Sequence, residues 1–115
     1  MLKVKAKAFF DTLTHLKAYV FGSITDLQVT CTSSKVANHA SLTLDVISGQ
    51  VSTSMEAEYS AEFKLAWGLA KILPWVEYIT ILDTDAVISC GQKDGCHVFS
   101  ARAKHHRLLV VAETV

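Results

Sequence analysis

One stretch constrains this chain more than any other. Residues 54–82 hold a periodic apolar segment, the chain's only proline, and then a run that is apolar on both faces. Tyr59, Phe63, Ala66, Ala70 and Leu73 recur at i, i+4, i+7, i+11 and i+14, and Leu65, Leu69 and Ile72 widen the stripe. That spacing predicts a helix over residues 54–73. Ser54 suits its N-cap, and Glu56 and Glu58 suit the positive end of the helix dipole. Pro74 is expected to stop it. Residues 76–82 (VEYITIL) then read as a strand covered on both sides. A helix feeding a doubly covered strand points to an α/β fold: a mixed sheet with one main helix on it.

The flanking segments read mostly as strands. Residues 2–10 alternate, with Leu2, Val4, Ala6, Ala8 and Phe10 on one side. A helical phase through positions 2, 6, 9, 13, 16 and 20 fits too. The strand, ending near Phe10 and followed by a turn through Asp11–Thr14, is the preferred reading. Residues 18–25 and 27–32 suggest a hairpin about Asp26. Residues 41–48 alternate again, a turn follows at 48–50, and 51–53 suit a short strand. Beyond Asp85, residues 86–90 suit a strand or a short helix, and Gly91–Gly95 a loop. Residues 97–101 then suit a strand, and 107–112 a strand or a short helix. No repeat or linker is visible, so residues 1–115 read as a single domain.

Half of the residues are hydrophobic, which excludes a disordered chain. Eleven Lys and Arg balance eleven Asp and Glu. Neutrality counts against a strong charge-driven grip on nucleic acid. Cys31, Cys90 and Cys96 are odd in number and lack metal-like spacing, so they read as reduced thiols. The start is too regularly charged for a signal peptide, and no run is long enough to span a bilayer. A cytoplasmic or nuclear protein with no membrane partner is expected.

Two acids stand out by position. Glu62 is flanked by Ala61 and Phe63 on the expected helix, and Asp85 follows the expected buried strand. Acids at the C-terminal ends of strands in α/β sheets sit where ligands bind. A helix acid and a strand-end acid that converge can hold Mg²⁺, which takes one or two carboxylates and keeps several waters. The plainer reading is a solvated helix face for Glu62 and a turn or cap for Asp85.

The run from Ser54 to Lys71, with Ala61-Glu62 and Trp67-Gly68-Leu69, followed by Val76-Glu-Tyr-Ile-Thr-Ile-Leu-Asp-Thr-Asp85, resembles the ribonuclease H fold. More narrowly, it resembles the reverse-transcriptase-associated ribonuclease H-like domains of plants. Lys17–Lys35 and Phe99–Ala112 are weaker echoes of the same family. The resemblance implies a retrotransposon-derived endonuclease: Mg²⁺-dependent hydrolysis of the RNA strand of an RNA–DNA hybrid, with Glu62 and Asp85 as metal ligands. Glu58 rivals Glu62, because the step from Glu62 to Gly68 is one residue short of the family's spacing. Lys7 stands where the family has its first catalytic Asp. An ammonium about 4 Å from a dication repels it by roughly 8 kcal/mol at an effective dielectric near 20. Activity is therefore expected to be weakened or lost, with Lys7 pairing to Glu62 and Asp85 in the metal's place. The C-terminal helices are expected to be reduced or absent, and residues 36–53 look like an insertion. Arg102, Lys104, His105, His106 and Arg107 form the only basic cluster and suit contacts to a nucleic-acid backbone; a solvated loop is the plainer alternative. A second reading of the whole chain is a non-catalytic dimerisation or scaffold module of the roadblock or longin sort.

Overall fold

The computed structural model describes residues 2–20, 22, 27–46, 49–104 and 109–114. Strand β1 (Leu2–Lys5) buries Leu2 and Val4 and exposes Lys3 and Lys5. Helix α1 (Ala6–Lys17) follows at once. Of the two periodicities that fit this segment, the helical one prevails from Ala6 onward. The reason is Phe9: continued alternation would leave it among the lysines, whereas the helix aligns Ala6, Phe9, Leu13 and Leu16 on one buried face. The expected strand to Phe10 and turn at Asp11 are corrected accordingly.

The next strands are β2 (Gln28–Ser33), β3 (His39–Val46), β4 (Gly49–Glu56), the two-residue β5 (Glu58–Tyr59) and β6 (Lys64–Gly68). Helix α2 (Leu69–Leu82) comes next, then β7 (Val87–Lys93), β8 (Cys96–Arg102) and β9 (Leu109–Thr114). The expected helix over 54–73 is therefore the end of β4, β5, β6 and only the first turn of α2. The expected strand over 76–82 is the second half of α2. Lys64–Gly68 is extended because Leu65 and Trp67 point inward and alternate with Lys64, Ala66 and Gly68. Pro74 does not stop α2. It lies on the exposed side of the helix, where its ring meets solvent and the cost is one missing N–H bond to the Ala70 carbonyl.

The strands form two sheets, β5-β1-β7-β8-β9 and β4-β3-β2-β6. Every pairing is antiparallel, so the mixed ribonuclease H-like sheet, with parallel neighbours, is not formed. The coarser α/β expectation stands, as two helices with two antiparallel sheets. Among the described residues no helix follows Leu82. Residues 36–53 are no insertion, since β3 is an interior strand of its sheet. β2 pairs with β3 and β6 rather than with residues 18–25; of those, residues 21 and 23–25 lie outside the described residues. Lys93↔Cys96 closes the β7–β8 hairpin through Asp94 and Gly95, with φ of 52° and 78°. That two-residue, left-handed turn matches the twist of its strands.

A repeat invisible in residue identity appears in the chain path. β1-α1-β2-β3-β4 and β6-α2-β7-β8-β9 follow the same course, and each half lends its first strand to the other half's sheet. The buried positions recur at one offset: Leu2, Val4, Ala6, Phe9, Leu13 and Leu16 against Leu65, Trp67, Leu69, Ile72, Val76 and Ile79. Both sheets and both helices close on one core. Trp67 lies at its centre, edge-on to Phe9 (5.6 Å) and Phe99 (5.2 Å). Among the described residues no helix is long and apolar enough to cross a membrane.

Candidate interaction surfaces

The residues singled out for metal chemistry do not meet. Glu62 is exposed in the β5–β6 connection and lines a cleft with Cys90, Gly91 and Gln92, at the C-terminal end of β7. Asp85 is exposed in the turn that precedes β7. Five to six residues of extended chain separate the two ends, roughly 17–20 Å. Lys7 is on α1, where its Nζ lies 3.1 Å from the carboxylate of Asp11 one turn away, with both side chains more than half exposed. It does not lie between Glu62 and Asp85. Glu58 is on β5, in register with Lys3, and not on a helix. Among the described residues no three His, Cys, Asp or Glu side chains gather as a metal site would require.

Asp83 is the acid the structure uses locally. Its carboxylate accepts the N–H of Asp85 (2.9 Å) and the N–H of Lys104 (3.1 Å), tying the α2–β7 turn to the end of β8. Those two bonds, in that order, hold its carboxyl below the usual Asp range. Arg102 closes β8, and Lys104 lies two residues beyond with φ of 34°. His105, His106 and Arg107 lie outside the described residues.

His97 is a site residue of a different kind. It is fully buried on the inner face of β8, and with Nδ1 protonated it donates to the Ala66 carbonyl of β6 in the other sheet. Its Nε2 lies 3.2 Å from the Gln92 amide, which donates to it. Nδ1 thus joins the two sheets, while Nε2 is held by the adjacent strand β7 of its own sheet. The alternation of His97, Phe99 and Ala101 in the sequence carried the signal for this burial. Burial also pushes the Cys31 thiol up to about 12 and raises that of Cys90, leaving both un-ionised and inert near neutral pH.

What remains on the surface is two helices and several open edges. Ala6 N–H bonds to the Ala86 carbonyl, and Leu69 N–H to the Leu27 carbonyl. The start of each helix is thereby tied to the chain that follows the other. Their solvent side carries Lys7, Asp11, His15 and Lys17 from α1, and Lys71, Glu77, Tyr78 and Ile81 from α2. β4 and β6 bound one sheet, and β5 and β9 the other.

No family model matches this chain, and no curated protein does. Solved structures do match it. A DNA polymerase sliding clamp from Caulobacter crescentus aligns with a TM-score of 0.72 at 12% identity, covering 99% of this chain and 29% of that one. The DNA polymerase III subunit beta from Pseudomonas aeruginosa gives 0.70 at 14%, covering 100% and 30%. A DnaN sliding clamp from Bartonella birtlesii bound to griselimycin gives 0.70 at 13%, covering 98% and 29%. The chain thus spans about 30% of the length of these neighbours, and the likeness is one of fold. It overturns the ribonuclease H resemblance, and with it the hybrid-cleaving, endonuclease and retrotransposon-derived readings. Those rested on short motifs whose expected helix and strand the chain does not form. The non-catalytic scaffold alternative stands closer to these findings than the nuclease did.

Proposed function

We propose that residues 1–115 form one clamp-type scaffold domain that associates with DNA and with protein partners, in the cytoplasm or the nucleus. The observation that carries this reading is the doubled β-α-β-β-β path, which aligns over 98–100% of the chain with sliding clamps of DNA polymerase.

The charges bear on how DNA would be held. The solvent side of the two helices carries Lys7, Lys17 and Lys71 against Asp11 and Glu77, and Lys7 is already paired. A face of such small net positive charge releases few counterions, so its affinity for a duplex is low and falls only gently with salt. Weak contact is compatible with movement along a duplex. Retention must then come from enclosure, which a chain spanning about 30% of its neighbours' length achieves only with further copies or further domains. The edges at β4 and β9 offer backbone for such joining.

The test pairs light scattering, for assembly, with retention on closed-circular and linearised duplex. An assembled ring held on circular DNA and lost on linearisation supports the reading. Tight binding of linear duplex with a steep salt dependence by the monomer overturns it.

A further inference from the structure

The tip of the β7–β8 hairpin carries chemistry that the DNA-associated reading does not use. Asp94-Gly95 is the chain's only Asp or Asn followed by glycine; the other aspartates precede Thr12, Leu27, Val46, Thr84 and Ala86. Glycine has no Cβ to shield its own amide nitrogen or to restrict the rotation that brings that nitrogen up to the preceding side chain. The fold adds access. Both turn residues are exposed, and a Cβ placed on Gly95 would meet no atom within 4 Å. β1 flanks β7 only from Val87 to Cys90, so Gly91–Lys93 have β8 as their one strand neighbour among the described residues. A tip held on one side opens locally at little cost. The other described aspartates are held differently. Asp11 lies within α1 and pairs with Lys7. Asp45 lies within β3 and accepts from the Gln50 amide. Asp83 accepts two backbone N–H bonds, and the N–H that follows Asp85 bonds to the Asp83 carbonyl. Asp94 forms no ion pair among the described residues.

We infer that Asp94-Gly95 is a site of spontaneous isoaspartate formation, and that the altered residue is a substrate for an isoaspartyl-directed carboxyl methyltransferase. In the opened tip the Gly95 nitrogen bonds to the side-chain carbonyl carbon of protonated Asp94. The amide proton and the carboxyl hydroxyl leave as water, and a cyclic imide remains. Water then adds at the main-chain carbonyl and breaks its bond to the Gly95 nitrogen. The chain now runs through the side-chain carbon, and the former main-chain carbonyl is a free carboxylate. The two steps release and consume one water, so mass is unchanged and no oxidant or reductant takes part. The rerouted backbone is longer by one carbon inside a two-residue turn, so Lys93↔Cys96 loses its register. The loss reaches Gln92 and His97, whose side chains meet one pair further in. This inference is independent of any contact with DNA.

The experiment ages the full chain in neutral buffer at physiological temperature. It follows methyl transfer from labelled S-adenosylmethionine by a purified isoaspartyl methyltransferase, and peptide mapping locates the label. Label is expected to accumulate with time in the peptide that holds Asp94, several-fold above any peptide holding another aspartate. D94E keeps the charge but needs a ring one atom larger, and should lose that label; circular dichroism confirms its fold. Hydrogen exchange over residues 91–98 should quicken several-fold in the aged fraction. Label spread evenly over the aspartates, label absent altogether, label persisting at that peptide in D94E, or unaltered exchange in the aged fraction would overturn the assignment.

Discussion

The first half of the molecule, β1 to β4, and the second, β6 to β9, trace the same path with different materials. α1 is amphipathic: four buried residues at helical spacing, opposed by Lys7, Asp11, His15 and Lys17. α2 is apolar almost throughout, exposes Tyr78 and Ile81, and tolerates Pro74. At the first-strand positions, Val4 corresponds to Trp67. At the ends of the helices, Ala18 corresponds to Asp83. The edge strand β4 is polar (GQVSTSME), while β9 is mostly apolar (LVVAET). What the halves share is the position of buried atoms, not residue type. A topology can therefore repeat where no sequence repeat is visible.

The comparison breaks most readily at the core. Trp67→Ala should cost about 3–5 kcal/mol, because the indole fills the space between Phe9 and Phe99. Its counterpart Val4→Ala removes far less volume and should cost about 2 kcal/mol. Urea denaturation measures both, and equal losses would mean that the halves contribute alike after all. Next in size, Pro74→Ala should stabilise by about 1–2 kcal/mol: it restores the N–H bond of α2, offset in part by a more flexible unfolded chain. An unchanged melting temperature would show that the helix is not continuous through Pro74.

The smallest effect concerns Asp83, whose carboxyl has no partner in role at Ala18. Its folded pKa lies below the ordinary value because it accepts two backbone N–H bonds. Its contribution to stability is therefore fully present above the unfolded pKa of about 3.9, and is lost as pH falls through the lower folded value. Carboxyl NMR titration should place Asp83 below the ordinary Asp value, and Asp83→Asn should flatten stability in that acid range. An ordinary titration would remove this asymmetry between the helix ends.

Legibility in the sequence followed how many patterns each segment satisfies. β3 and β8 alternate cleanly and were readable, whereas β4 was legible only over residues 51–53 and its end was absorbed into the expected helix. The helical phase of α1 was visible beside the strand phase, and only the neighbours of Phe9 decide between them. The stretch from Tyr59 to Leu82 misleads because Phe63, Leu65 and Trp67 satisfy period two, while Tyr59, Phe63 and Ala66 satisfy the helical period. The second half of α2 is rich in β-branched residues (Val76, Ile79, Thr80, Ile81), and a buried helix of that composition matches a buried strand. Glu62 and Asp85 were chosen for spacing within that misread stretch, so their separation follows from the same error. Arg102 stands in a surface row beside Val87, with Lys5 one strand further on. No local pattern could have shown that row, because it depends on β1 crossing into the other half's sheet.

That crossing has a consequence for how the chain is made. A ribosome releases β2, β3 and β4 well before β6, so one flank of β2 waits bare until more than half of the chain has emerged. β1, which precedes these strands, waits longer still for β7. Neither sheet is complete until late in synthesis, and a chain severed between Tyr59 and Lys64 would leave two pieces that each need the other.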